Sequence, residues 1–173
     1  MKPIIKVPLK FGGIGAAILI LMFFVFLLTD SNPLLEMKVF DFFILPVFLF
    51  FGIKEFRDSF NQGEMTYGQG MTTGLIIYGC IAIGYSIFLA AALQFTSPDL
   101  LAEYIAKSVE VFESNKAELT ADGSEEMFLQ TIKDAKQTQS IDLVWDSLLK
   151  KIGIGFLLTS LLATVLKRKT TAE

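Results

Sequence analysis

Apolar residues run along this chain in four long blocks, separated by polar segments of very different length. From Phe11 to Leu28, 18 consecutive residues carry no charge, enough to cross most of a hydrocarbon core of roughly 30 Å. A second block opens at Pro33, a favoured first helical position, with Ser31 or Asn32 as its cap. It runs to about Ile53 and carries Pro46 in mid-span, where a kink is expected that neighbouring helices tolerate in lipid. The third block, Met71 to Phe95, has 25 residues without charge. The fourth is apolar from Ile152 to Leu166, and Ile141, Val144, Trp145, Leu148 and Leu149 extend its apolar face back to near Ser140. The pattern predicts an all-α fold, an integral membrane four-helix bundle.

A different pattern fills Ser97 to Leu149. Leu101, Ile105, Val109 and Phe112 recur at helical spacing, as do Met127, Phe128, Thr131, Ile132 and Ala135, each set forming a narrow stripe on a polar helix. Ser97-Pro98-Asp99 has the composition of a helix start, and Asp122-Gly123-Ser124-Glu125 has capping-box spacing. A helical hairpin outside the membrane, between spans three and four, is therefore expected. The chain divides into residues 1–96 with three spans and a Gly-rich cytoplasmic loop at 54–70, residues 97–139 as the extracytoplasmic hairpin, and residues 140–173 as the fourth membrane helix with a basic tail. The hairpin reads either as a connector covering the bundle or as a partner- or ligand-binding cap.

Composition explains why a bilayer is needed. Hydrophobic residues make up 53% of the 173, charged ones 19%, and Phe alone supplies 17. A water-soluble domain of this size has too little interior to hide that surface. The first block follows Lys2, Lys6 and Lys10 as a signal peptide would, but it exceeds the usual apolar core of a signal. The Thr29-Asp30-Ser31-Asn32-Pro33 that follows offers no small-x-small cleavage pattern, so a retained span is expected. Lysine and arginine near span ends set the orientation. Three precede the first span, two (Lys54, Arg57) lie in the 54–70 loop and three follow the last span; Lys38, Lys150 and Lys151 lie on the opposite side. Both termini are thus expected in the cytoplasm of an inner-membrane, multi-pass protein, with Lys150 and Lys151 snorkelling at a span end.

The chemistry on offer is sparse. The absence of His and a single Cys, Cys80, exclude His-based zinc sites, His-dependent triads and an internal disulfide. No metal or cofactor is expected, and a net charge of −3 without a dense basic patch argues against nucleic acid. One acid lies well inside a span: Asp41, about 12 Å along the second helix from Pro33 at 1.5 Å per residue. Such a residue is a functional candidate by default, although pairing with Lys38 near the outer interface is the simpler expectation. Asp142, Asp146 and Lys150 fall four apart on one face of the last helix. Together with Lys38 and Asp41 they form a candidate outer polar cluster.

Between the second and third spans lies a strip rich in charge and glycine. Lys54, Glu55, Arg57 and Asp58 close one span, Asn61-Gln62-Gly63 reads as a turn, and Tyr67 suits the headgroup layer. Gly68, Gly70 and Gly74 lead into the next span. Arg57, Asp58, Gly63, Tyr67 and Gly68 form a candidate interfacial hinge motif. Gly70-x-x-x-Gly74 and Cys80-x-x-x-Gly84 place small residues where helices can approach closely, as do Gly12-x-x-x-Ala16 and Gly13-x-x-x-Ala17. A phosphate cradle is disfavoured because no Gly-Lys-Ser/Thr ending or strand–helix context accompanies the glycines.

The Arg57-Asp58 turn, the Tyr67-Gly68 pair, the Gly-opened span, the segment Ser97-Pro98-Asp99-Leu100-Leu101-Ala102-Glu103-Tyr104 and the basic tail together resemble the domain of unknown function 4199 family. The resemblance implies a small bacterial four-span integral membrane protein with an extracytoplasmic helical insert, and it carries no reaction, substrate or cofactor. Three function classes follow. The leading one is a non-enzymatic membrane protein acting through helix–helix or protein contacts, in the lipid bilayer and with other membrane proteins or copies of itself. A small transporter or pore subunit using Asp41 with Tyr85 or Ser86 comes second. An intramembrane enzyme comes last, since no Ser–Lys or Asp–Asp pair falls at matching depth. The chain is expected to pellet with membranes and to require detergent for release, and reporters fused to its two ends should score in the same compartment. Reporters in opposite compartments would refute the even number of crossings.

Overall fold

The computed structural model describes residues 3–95, 99–116 and 125–168. Helix α1 spans Pro3–Leu28 and α2 spans Pro33–Glu55, passing through Pro46 without a break. A single π-helical turn, Phe56–Phe60, follows α2. Then come α3 at Tyr67–Phe95, α4 at Asp99–Ser114, α5 at Glu125–Lys136 and α6 at Ser140–Leu166. Among the described residues there is no strand, only an isolated antiparallel bridge between Met65 and Arg168. The expected signals at Ser97-Pro98 and Gly123-Ser124, and the tail from Lys169 onward, lie outside the described residues.

Three helices are long and apolar enough to cross a membrane: Ile4–Leu28 of α1, α3 and α6. The expectation of four equivalent spans therefore meets a difference at α2. Between Asp41 and Lys54 its uncharged stretch, residues 42–53, rises only about 18 Å. It nevertheless packs on α1, α3 and α6 as a full member of the bundle. The outward faces stay apolar: Leu21, Phe43, Ile87, Leu157 and Val165 are all exposed. Exposed apolar surface on this scale marks a contact with something other than water.

Helix α3 is the centre of the bundle, flanked by α1 on one side and α6 on the other. Small residues set both contacts. A Cβ built on Gly12 of α1 would stand 2.5 Å from Cys80 Cβ and 2.9 Å from the Ile77 carbonyl, and one on Gly84 would stand 3.3 Å from Ala16 Cβ. On the other side, a Cβ on Gly70 would lie 2.9 Å from Ala163 Cβ, one on Gly74 would collide with Thr159, and one on Gly155 would lie 2.5 Å from Tyr78. Gly70 and Gly74 thus lie against α6, and Cys80 and Gly84 against α1. Gly13 and Ala17 take no part: both are exposed, and nothing stands within 4 Å of a Cβ at Gly13. One helix face cannot meet α3 through two registers, and Gly12–Ala16 is the face used.

Large side chains fill the space around these seams. Leu19, Phe23, Leu45, Leu49, Ile53, Ile77 and Ile81 are almost fully buried. Phe23 meets Phe88 edge-on, 5.2 Å between ring centroids, near the outer ends of α1 and α3. Lipid can replace much of the apolar contact, but not the close backbone approach that glycine allows.

Gly74→Ala is expected to destabilise the bundle by about 1–3 kcal/mol, the usual cost of overpacking, and Thr159→Ala should restore part of it. Gly79→Ala, where nothing stands within 4 Å, should be neutral or gain up to about 1 kcal/mol of helix propensity. Denaturant titration in mixed micelles checks both.

Candidate functional site

At one end of the bundle, the polar cap formed by α4 and α5 is tied to it mainly where α4 meets α2. The tie is Asn32, buried to 3% exposure. Its side-chain carbonyl accepts from the Leu34 amide at 3.0 Å, capping α2. Its amide donates to the Leu100 carbonyl at 2.9 Å and to Glu103 Oε2 at 3.1 Å. One side chain therefore starts a membrane helix and holds the cap. Hydrogen bonds from Lys107 first, and from Asn32 second, keep the Glu103 carboxyl below its ordinary range. Lys107, bonded to Glu103, is raised in turn.

Beneath the cap lies a cavity of about 700 Å³, between Tyr104, Lys107 and Phe112 of α4, Thr131 and Asp134 of α5, and Asp142, Asp146 and Lys150 of α6. A second cavity, about 320 Å³, continues into the bundle head; it shares Tyr104, Leu143, Asp146 and Lys150 with the first and adds Leu34, Met37, Tyr85, Leu89 and Lys151. Of the five residues of the candidate outer polar cluster, Asp142, Asp146 and Lys150 line this double chamber. Asp142 accepts from the Gln139 amide at 2.8 Å in a capping box, and Asp146 pairs with Lys150 at 2.6 Å. The side chains of Lys38 and Asp41 lie outside the described ones. By backbone register, position 41 falls one turn from Met37 and one from Leu45, both buried.

Lys151 is the residue that the pattern of apolar blocks hides. Read as half of a snorkelling pair, it is instead buried to 2% exposure, while Lys150 stays exposed. Its ammonium donates to Ser147 Oγ at 2.8 Å and sits 4.3 Å from the centroid of the Tyr85 ring. The signal was present in the spacing: Lys151, Gly155, Thr159 and Ala163 repeat every four residues and form the buried face of α6. A lysine in register with a small-residue seam points into the bundle, not to lipid. Thr73, Ser86 and Thr159 are also buried, and their hydroxyls have no partner among the described residues.

The Gly-rich strip forms a clasp at the opposite end of the bundle. Arg57 holds Asp58 through Nε at 2.6 Å and Nη2 at 3.2 Å, while Nη1 reaches the Leu166 carbonyl at the end of α6 at 3.3 Å. This pairing lowers the Asp58 carboxyl below its ordinary range. Gln62 and Gly63 take positive φ, 57° and 81°, to turn the chain. Met65 and Arg168 then exchange backbone hydrogen bonds at 2.8 and 2.9 Å. Thr66 makes a reciprocal pair with Gln69: its amide donates to Gln69 Oε1 at 2.9 Å and its hydroxyl accepts from the Gln69 amide at 3.3 Å. That reciprocal pair starts α3 at Tyr67, four residues before the expected Met71. Tyr67 hydrogen-bonds Ser160 at 3.0 Å, and nothing stands within 4 Å of a Cβ at Gly68. Lys10 and Glu55 add an exposed pair at 2.7 Å between α1 and α2. No group of His, Cys, Asp or Glu able to hold a metal ion occurs among the described residues.

A family model described as "Protein of unknown function (DUF4199)" matches residues 10–168. No curated protein and no solved structure matches the chain.

Asn32→Ala should cost about 1 kcal/mol as a lost helix cap and raise backbone hydrogen exchange across residues 99–114. Because the Glu103 carboxyl is lowered in the folded state, its contribution to docking is complete above the ordinary carboxylate pKa of about 4.3 and is lost as pH falls through the lowered value. The distance between spin labels on α2 and α4 should hold from pH 8 to pH 5 and lengthen only in stronger acid.

Proposed function

The chain belongs to the DUF4199 family, and we propose that it is a non-enzymatic, four-span protein of a bacterial inner membrane that acts by binding. In this reading both termini and the Arg57–Gly68 clasp lie in the cytoplasm, α2 is the fourth span despite its short uncharged stretch, and the α4–α5 cap lies outside. The observation that carries it is the double chamber under the cap, whose two parts share Tyr104, Leu143, Asp146 and Lys150. Its volumes fall in the range of about 300–1,000 Å³ usual for small-molecule sites. The non-enzymatic part rests on the residues at hand: there is no His, and Asp142 and Asp146 are engaged in a helix cap and an ion pair. The apolar outer faces and small-residue seams also suit contacts with other membrane proteins or further copies of the chain.

Transport is the second reading. Ser86, buried and without a partner among the described residues, follows in sequence Tyr85, which lines the deeper cavity. Below it the α3–α6 seam is shut by Tyr78 on Gly155 and Thr159 on Gly74, which favours a dead-ended binding chamber over a pore.

Leu143 lines both parts of the chamber. Leu143→Trp should fill its neck. Native mass spectrometry of protein extracted from its own membranes is expected to show a small-molecule adduct on the wild type that the variant has lost, with helix content and unfolding temperature unchanged. An adduct equally present on both, or absent from both, refutes the binding reading.

A further inference from the structure

We infer that the chamber takes a lysophospholipid drawn sideways from the bilayer, its one chain in the deeper cavity and its zwitterionic head in the wider one. This rests on the binding reading above and names the class of ligand and its route. The route follows from the outside of α6. Ile154, on the wall of the deeper cavity, is exposed, and so are Leu157 and Leu161, three and seven positions on and therefore on the same face. The mouth of the cavity thus continues an apolar stripe. A second exposed ridge, Trp145, Leu149 and Phe156, sets the height that oil reaches, since Trp favours the headgroup layer. The stretch of α6 that lines the deeper cavity, Leu143 to Ile154, lies at that height and below it.

The occupant follows from the two linings. Leu34, Met37 and Leu89 give the deeper cavity an apolar wall, and its volume of about 320 Å³ suits one chain, not two. The charges of the chamber come in an order. Lys150 stands where the two cavities meet, and Asp134 and Asp142 line the wider cavity alone. Chain, phosphate and ammonium follow one another in the same order along a lysophosphatidylethanolamine. Asp146 holds Lys150 in an exposed pair four residues apart, weak enough to yield to a phosphate. Asp134 and Asp142 accept from uncharged donors, Gln130 Nε2 at 2.7 Å and the Gln139 amide at 2.8 Å, so their charge stays available to an ammonium. Lys107, the other cation of the wider cavity, is taken by Glu103 at 2.9 Å. A lipid with a purely anionic head would meet those acids and be repelled. Free phosphoethanolamine would leave the apolar wall empty.

The test uses the full chain in phosphatidylcholine nanodiscs doped with a lysophosphatidylethanolamine that carries a diazirine near the end of its chain. Illumination followed by peptide mass spectrometry is expected to place the label on residues 34–37 and 85–89, around the deeper cavity. Ile154→Trp, at an exposed position on the rim, should cut this labelling severely. Unlabelled lysophosphatidylethanolamine should displace the probe about ten-fold better than lysophosphatidylglycerol of the same chain, the difference expected of one charge-assisted contact. Asp134→Asn combined with Asp142→Asn should erase that difference, and free phosphoethanolamine should not compete. The competition between the two lysolipids uses the unaltered chain and decides the matter even where a variant fails to fold. Labelling confined to the outward faces at Phe156 and Leu157, equal displacement by the two lysolipids, or undiminished labelling in Ile154→Trp would each overturn the inference. A native adduct sensitive to Leu143→Trp, together with labelling of the outward faces alone, would overturn it and leave the chamber reading standing. Neither adduct nor cavity labelling would sink both.

Discussion

The close approach of α3 to α6 across Gly74 and Thr159 fixes everything above it. Oil gives helices no hydrophobic reason to associate, so contact must come from fit. Glycine at 70, 74 and 155 lets the two backbones come near enough for Ala163, Thr159 and Tyr78 to occupy the gaps. Such a fit has one register. Once Thr159 sits on Gly74, the depth of every other residue on that face of α6 is set. Lys151 lies eight positions up the helix, about 12 Å, and lands beside Tyr85 of α3. The seam is therefore also what positions this buried lysine.

The two ends of the bundle are held by unlike means. At the end bearing the Gly-rich strip, backbone bonds between Met65 and Arg168, the Arg57 contact to Leu166 and the Thr66–Gln69 box tie the strip to α3 and α6. At the cap end, α4 contributes no buried residue, and the junction to α2 passes through Asn32. Elements with few buried contacts occupy the low end of local stability. The cap is thus the part of the molecule that can lift at small cost, and it covers the wider cavity.

Much of the architecture was legible because it follows from composition and period. The apolar blocks became α1, α3 and α6, and the polar stripes of residues 99–136 became the two helices of the cap. The seams were legible as small residues four apart, although sequence alone offered Gly13–Ala17 as readily as Gly12–Ala16; the choice depends on which face meets α3. Two features were missed for different reasons. Thr66-x-x-Gln69 is a capping box, but its neighbours Tyr67 and Gly68 suggested an interfacial turn, so α3 was expected to start late. Lys151 was missed because a charge beside Lys150 at the edge of an apolar block looks like a boundary. Adjacent residues on a helix are about 100° apart, so one lysine of such a pair can face water while the other enters the core.

That burial bears on orientation as well. Lysines bias topology through their attraction to one side of the membrane, and the bias is counted over residues near the span ends. Lys151 lies below the outer rim, in contact with Ser147 and Tyr85, so it belongs with the core and not with the interface. Removing it from the outer tally leaves Lys38 and Lys150 against the basic residues of the termini and the 54–70 loop. The expectation of cytoplasmic termini then no longer sets Lys151 on the opposite side. The same placement makes Lys151 a residue of the bundle core that lines the deeper cavity.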